Sequence, residues 1–461
     1  MFCGCPADYQ AAEPNTRTCP VCLGLPGALP VINRRAVEYT VLTGLALNCR
    51  IPEFTKFDRK NYPYPDLMKG YQISQYDLPL ALDGQLGLGR RRIGVERVHL
   101  EEDGSYDDRG EGYSLVDVNR SGVPLMEVVS KPDMRSAEEA RQYLTLLHSI
   151  VQYLGVSTGN MQDGNFRCDA NVSIRPVGSQ ILGTRTEVKN MNSFRAVYQA
   201  LEYEVVRQRE VIEDGGAVVQ ETRGWIEERE VTVSQRSKEY AHDYRYFPEP
   251  DLPPLRIGPE RVAELAAELP EFAPQRSARF QADLALSGYD ADLLAGSRSM
   301  ANYFETTLTL RDATAKEVAN WMLGDLARLL NQDHREIDAS PVTPQRLADL
   351  LALVADGTLS TSLAKTVLEE MYATGGEPAD IVREQGLGQI SDTGAIEAAV
   401  AEAIAANPKA VADYISGKDT AARFLMGQVM RLTKGQAQPE LALRLVQEGL
   451  ELQKTRGSLE P

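Results

Sequence analysis

Histidine and tryptophan are scarce, at four and two in 461 residues. The histidines, His99, His148, His242 and His334, are too scattered to suggest a histidine-ligated metal centre. His148 falls in a helical segment and reads as a helix-surface residue. No apolar run reaches the ~18–20 residues that a membrane-spanning helix needs. No charged-then-apolar leader pattern opens the chain. A cytoplasmic protein with no membrane contact is expected. No G-x-x-x-x-G-K-[ST] phosphate loop occurs, because Ser416-Gly417-Lys418-Asp419 lacks both the upstream glycine and the hydroxyl. Gly386-Leu387-Gly388 lacks the third glycine of a dinucleotide fingerprint. Positive charge is in deficit, with 49 Lys and Arg against 66 Asp and Glu and a net of −17. That excludes a non-specific nucleic-acid coat. No repeat period and no low-complexity tract is visible.

What is present is unevenly spread. Residues 1–256 carry a net charge of −6, residues 257–385 carry −10, and residues 386–461 carry −1. At roughly 100–200 residues per domain, the length allows two to four domains. Composition changes near Pro254. The first part is rich in Tyr, Gly, Asn and Arg, with short period-two runs at 92–98, 115–118 and 170–174 that suit strands. Two segments there read as helices. Ser136 to Leu154 starts with a capping box (Ser136, Glu139) and stops at Gly155, and Phe194 to Asp214 follows Ser193. An α+β domain over 1–256 is expected, with an antiparallel sheet carrying helices. Beyond the Pro-rich linker 248–254, Ala/Leu-rich segments with helical spacing fill 259–268, 312–331, 343–355, 361–373, 393–406, 408–416, 418–433 and 438–453. Glycines at 375–376 and 386–388 divide a middle helical domain (257–385) from a small all-α one (386–461).

Four of the six cysteines lie in the first 22 residues: Cys3, Cys5, Cys19 and Cys22. Two close thiolate pairs suit one tetrahedral Zn²⁺, in a closed and therefore structural site. An iron–sulfur cluster and four unrelated cysteines are the alternatives. A second group is acidic: Glu101-Glu102-Asp103, with Glu127 and Asp169 further on. Mg²⁺ takes one or two carboxylates and leaves its other positions to water and phosphate. The alternative is a solvated loop. Third come polar, aromatic stretches at 57–62, 71–75, 167–171, 187–193 and 242–248. They offer Arg and Lys for phosphates, Asn and Gln for polar edges, and Tyr for stacking. Loop-fixing networks would use the same residues.

Read together, these stretches resemble GatB, the B subunit of the bacterial aspartyl/glutamyl-tRNA(Asn/Gln) amidotransferases (the GatCAB complex), over essentially the whole chain. The most specific matches are Ala12 to Thr16, Cys19 to Pro30, Asp117 to Asp133, Arg167 to Pro176, Glu187 to Phe194 and Ala241 to Leu255. The resemblance implies an N-terminal cradle, a helical domain and a YqeY-like tail. It implies ATP-dependent phosphorylation of the side-chain carboxylate of Glu-tRNA(Gln) or Asp-tRNA(Asn). Ammonia made from glutamine by a partner amidase, GatA, would then displace the phosphate, with the small GatC completing a heterotrimer. Glu102 and Glu127 would bind Mg²⁺, and Arg167, Asp169 and Lys189 would line the same pocket. Arg59, Lys60, Tyr71, Gln72 and Asn190 would face ATP. Lys409, Lys418, Arg423 and Lys434, in a locally basic stretch, would meet the tRNA. The family's opening strand, roughly Ile-Gly-Leu-Glu-Val-His-Val, has no counterpart before Phe2-Cys3-Gly4-Cys5. Met1 is therefore expected to be an internal residue of the family pattern, mis-chosen as a start or left by truncation. A chain truly lacking that strand is expected to be impaired in Mg²⁺ binding and kinase activity. The competing reading is a zinc-stabilised tRNA-binding scaffold without activity of its own. A self-sufficient glutaminase is disfavoured, since no cysteine sits in a nucleophile setting and no Ser-Ser-Lys amidase signature occurs.

Overall fold

The computed structural model describes all residues except 11, 63–66, 105, 111–112, 238–243, 311–312, 389–392, 434 and 458–461. The chain forms two compact units, Met1–Phe272 and Ala273–Pro461.

The first unit is α+β. Its elements in order are α1 (Arg34–Ala46), β1 (Phe54–Thr55), β2 (Asp58–Asn61), β3 (Tyr71–Ser74), β4 (Ala81–Leu88), β5 (Arg91–Glu102), β6 (Tyr106–Gly110), β7 (Tyr113–Asp117), β8 (Pro124–Ser130), α2 (Ala137–Leu154), β9 (Ala170–Val172), β10 (Thr186–Lys189), α3 (Phe194–Glu213), β11 (Glu221–Ile226), β12 (Val231–Ser237), β13 (Phe247–Pro248), β14 (Leu255–Arg256) and α4 (Pro259–Ala267). The strands divide among five small sheets: β4-β5-β8, β12-β11-β10-β9, β13-β2-β3, β1-β14 and β6-β7. Among the described residues, one pairing departs from the antiparallel pattern. β10 and β11 run parallel, because α3 intervenes as the crossover that a parallel pair requires.

Both long helices of this unit form where their caps predict. Ser136 accepts from Glu139 N–H, and Gly155 closes α2 in the left-handed region at φ 69°. The Glu139 carboxylate does not complete the capping box. It accepts from the Arg135 amide at 2.7 Å and pairs with Arg91. Tyr143, Leu144, Leu147, Ile150 and Val151 of α2 then pack with Val197 and Leu201 of α3 and with Ile93, Val95 and Val98 of β5. The unit runs past residue 256 because α4 lies on α1. Leu265 joins the Val41 core, and Arg261 pairs with Glu38 at 2.7 Å. α1 escapes the sequence pattern, since its Thr, Val and Gly content weakens the helical signal.

Among the described residues, the regular elements of the second unit are helical. It comprises α5 (Ala273–Leu284), α6 (Gly288–Ala295), α7 (Arg298–Leu310), α8 (Ala315–Trp321), α9 (Ala327–Gln332), α10 (Pro344–Ala355), α11 (Thr361–Thr374), α12 (Pro378–Gln385), α13 (Thr393–Ala406), α14 (Pro408–Ile415), α15 (Thr420–Leu432) and α16 (Pro439–Gly457). A π-turn at Met322–Leu326 links α8 to α9. Two separate cores lie within this unit. One holds Phe280, Phe304, Met322 and Leu368, and the other holds Ile396, Leu425, Val446 and Leu450.

Candidate functional site

β5 and β8 pair antiparallel, with His99 opposite Glu127 and Glu102 opposite Pro124. Side chains alternate along a strand, so residues two apart share a face. His99, Glu101 and Glu127 therefore converge. His99 Nε2 lies 3.3 Å from Glu127 Oε2 and 3.6 Å from Glu101 Oε2. His99 is 3 % exposed, and its Nδ1 is buried with no hydrogen-bond partner. Burial disfavours a charged His99, but the two carboxylates outweigh it and hold its pKa above the ordinary value. The His99 hydrogen bond in turn lowers that of Glu127.

Glu102 points to the opposite face. Its carboxylate accepts from Lys69 Nζ at 2.7 Å and from the Ile73 amide at 2.8 Å. The expected Glu102–Glu127 pair is thus not brought together. The one-residue offset on β5 turns Glu102 to Lys69 and the Ile73 amide, and Glu101 to His99 and the Ser74 hydroxyl. His99 escapes a search for clustered histidines, because it stands alone between Val98 and Leu100, far in sequence from the other three histidines. The period-two alternation is the signal that could have found it.

An open cleft of about 3660 Å³ runs along this face of the first unit. Its lining includes Lys60, Glu101, Glu127, Arg167, Lys189 and Asn190, with Asp169 ion-paired to Lys189. Lys189 also lies 3.7 Å from Glu187. Lys60 Nζ sits 5.1 Å from the Tyr244 ring centre and 5.6 Å from that of Tyr62. Asn190 is exposed and adopts φ 62°. On another wall Asp103 holds two guanidinium groups, with Arg120 Nε at 2.7 Å and Arg167 Nη2 at 2.9 Å. Arg120 lies in the 117–133 stretch, which gives it no role of its own, and Asp103 reads in the sequence only as the end of an acidic run.

Three residues expected at a nucleotide are committed elsewhere. Arg59 makes a forked pair with Glu249 at 2.7 and 2.8 Å and lies 4.3 Å over the Tyr71 ring. This fork ties 247–251 to β2. Gln72 is buried and donates to the Glu102 carbonyl at 2.8 Å. Of the 242–248 stretch, His242 and Asp243 lie outside the described residues.

The four early cysteines do meet, and none is in a disulfide. Cys22 Sγ lies 3.5 Å from Cys3, 3.6 Å from Cys19 and 3.9 Å from Cys5. Sulfurs at the corners of a zinc tetrahedron with 2.3 Å bonds would be about 3.8 Å apart. Burial raises the Cys5 thiol to about 12 and the Cys22 thiol to about 11. At Cys19 burial also opposes ionisation, yet the Cys22 and Val21 amides outweigh it and bring the thiol to about 7. In the tail, Lys409, Lys418 and Arg423 are exposed on α14, the following turn and α15. Lys418 pairs with Asp413 at 2.8 Å. Lys434 lies outside the described residues.

Comparison with known proteins places the chain in a family. The GatB/GatE catalytic domain model matches residues 1–263, and the GatB domain model matches residues 302–450. The chain belongs to the GatB family. It is similar to the B subunit of the aspartyl/glutamyl-tRNA(Asn/Gln) amidotransferase of Dehalococcoides mccartyi (strain CBDB1), at 54% identity over 98% of this chain and 95% of that protein. The protein of the same name from Moorella thermoacetica is 54% identical over 97% and 96%. That from Thermomicrobium roseum is 53% identical over 98% and 95%. Membership makes the chain part of a ligase-type, tRNA-dependent amidotransferase of protein biosynthesis. Among the described residues no helix is long and apolar enough to cross a membrane.

Proposed function

We propose that the first unit activates and amidates the side-chain carboxylate of Glu-tRNA(Gln), Asp-tRNA(Asn) or both. The γ-phosphoryl group of ATP passes to a carboxylate oxygen, giving an acyl phosphate and ADP. Ammonia attacks the acyl carbon, inorganic phosphate leaves, and nitrogen loses a proton to give the amide. A bare carboxylate has no adequate leaving group, which is why phosphorylation comes first. Phosphoryl transfer needs alignment and charge neutralisation more than covalent help from the protein. The supporting observation is one cleft that joins the Glu101–Glu127 carboxylates to the Arg120–Arg167 pair and to Lys60 and Lys189.

A divalent cation fits the first of these groups. His99, Glu101 and Glu127 offer donor atoms all within 4.8 Å of one another, and His99 keeps an unpartnered buried nitrogen. Glu101 and Glu127 would supply the hard oxygens that Mg²⁺ prefers, and His99 would hold them in place. The cation would neutralise phosphate charge. Arg120 and Arg167 would bind phosphate oxygens, and Lys189 would orient the carboxylate under attack. Zn²⁺ fits the Cys3, Cys5, Cys19 and Cys22 sulfurs and would hold the N-terminal segment. Ammonia would come from the partner amidase GatA, with the small GatC, in a cytoplasmic heterotrimer. The tail would meet the tRNA body.

The test is reconstitution with GatA, GatC, glutamine, ATP and each misacylated tRNA. Amidated tRNA with matching ADP release supports the proposal. Amidation without ATP, or tRNA binding with no turnover, rejects it and leaves a scaffold.

A further inference from the structure

Residues 155–169 connect α2 to β9 without helix or strand, yet they deliver Arg167 and Asp169 to the cleft. Ser157 Oγ donates to the Asn165 carbonyl at 3.0 Å and closes the segment on itself. Arg120 Nη2 donates to the Gly164 carbonyl at 3.0 Å. A third contact comes from α2, where His148 Nε2 lies 3.0 Å from the Gly159 carbonyl oxygen. A carbonyl oxygen only accepts, so Nε2 carries the proton in this contact.

His148 is not the surface residue its helix suggests. It is half-buried, with its ring edge-on to Phe166 at 5.5 Å and to Phe194 at 5.3 Å. Phe166 and Phe194 meet each other at 6.0 Å. The three rings tie α2, the loop and the start of α3 into one contact. The loop admits this approach only through glycine. A Cβ at Gly159 would lie 2.4 Å from His148 Nε2, and φ there is +74°. Gly164 has φ +69°, and a Cβ there would press on Arg120 Nη1 at 3.2 Å.

Phe166 immediately precedes Arg167, and Gly164 holds Arg120. Both guanidinium groups share Asp103, so this wall carries one net positive charge in a fixed fork. Such a pair matches the oxygens of a phosphate.

We infer that His148 is a positioning residue. By holding Gly159 and Phe166 it sets the loop that places Arg167, and through Gly164 Arg120, as a seat for a substrate phosphate. It touches no substrate itself. The inference rests on the reading of the cleft given above. The phosphate belongs either to the nucleotide or to the aminoacyl-tRNA.

The test uses the full chain assembled with GatA and GatC. His148→Phe keeps the ring packing and removes the donor. Amide exchange at Gly164 and Asn165, followed without substrates, should rise about tenfold, in line with the loss of one hydrogen bond. The KM for ATP or for misacylated tRNA should rise by a similar factor while kcat stays within about twofold, the pattern expected when binding and not chemistry is lost. A rise for ATP assigns the seat to the nucleotide, and a rise for the tRNA assigns it there. His148→Ala should regain the low KM when imidazole is added. Should that variant not fold, the Phe variant decides. Unchanged exchange in His148→Phe, or faster exchange with both KM values unchanged, overturns the inference. Wild-type amidation that needs no ATP would instead sink the functional reading, and exchange alone would then judge the hold of His148 on the loop.

Discussion

His99 on β5 faces Glu127 on β8 across one strand pair, with Nε2 3.3 Å from Oε2. Glu101 closes the other side of the imidazole at 3.6 Å. A mostly buried imidazolium between two carboxylates leaves a net negative charge, and on the reading proposed above a divalent cation would take the place of the proton.

Glu101 and Glu102 are neighbours with different fates. Glu127→Gln and Glu101→Gln should each lower Mg²⁺ or Mn²⁺ affinity by about tenfold or more, measured by titration calorimetry. Glu102→Gln should act on stability, because Lys69 would lose its buried partner. An unfolding midpoint unchanged by Glu102→Gln would contradict this division.

The cysteine cluster should carry one zinc per chain, readable by elemental mass spectrometry. Cys19→Ser or chelation should release it and speed proteolysis of the N-terminal segment. Cys49→Ser should keep the metal, since Cys49 packs in the core beside Leu47 and Ala81. Full zinc retention in Cys19→Ser would refute the assignment.

Glu204 of α3 is fully buried between Arg207 at 2.7 Å and Arg223 at 3.1 Å, and it accepts from Thr232. Glu204→Gln should cost about 3–5 kcal/mol, because two guanidinium groups lose a buried carboxylate. Urea unfolding measures this, and a cost below about 1 kcal/mol would show that the network relaxes.

Burial lowers the pKa of His148 below the ordinary histidine value. The folded protein therefore binds this proton less well than the unfolded chain. The stability it contributes is complete above the ordinary histidine range and is lost as pH falls through the lowered value. Urea midpoints between pH 8 and 5 should fall more steeply for wild type than for His148→Phe. Parallel curves would exclude this linkage.

Lys409, Lys418 and Arg423 are exposed on the tail, although Lys418 also pairs with Asp413. Replacing these three and Lys434 with Ala should weaken tRNA binding and flatten its salt dependence by roughly one unit per lost phosphate contact. Binding with an unaltered salt slope would reject the contact.

Local chemistry settled much of this protein in one dimension. Ser136, Ser193 and Gly155 mark helix ends because capping depends on residues within a single turn. The cysteine pairs could be read as one cluster because their spacing is short. The change near Pro254 from short strands to Ala/Leu helices follows from pattern alone. The tertiary structure decided what depends on facing. Whether Glu101 or Glu102 meets Glu127 turns on a register that one residue of slip would invert. Arg59 is free to grip a phosphate in the sequence, but in the fold Glu249, far along the chain, holds it. His148 is solvent-facing by helical spacing, but the loop after its helix folds back over it. Such partners are distant in sequence and close in space, so only the folded chain can name them.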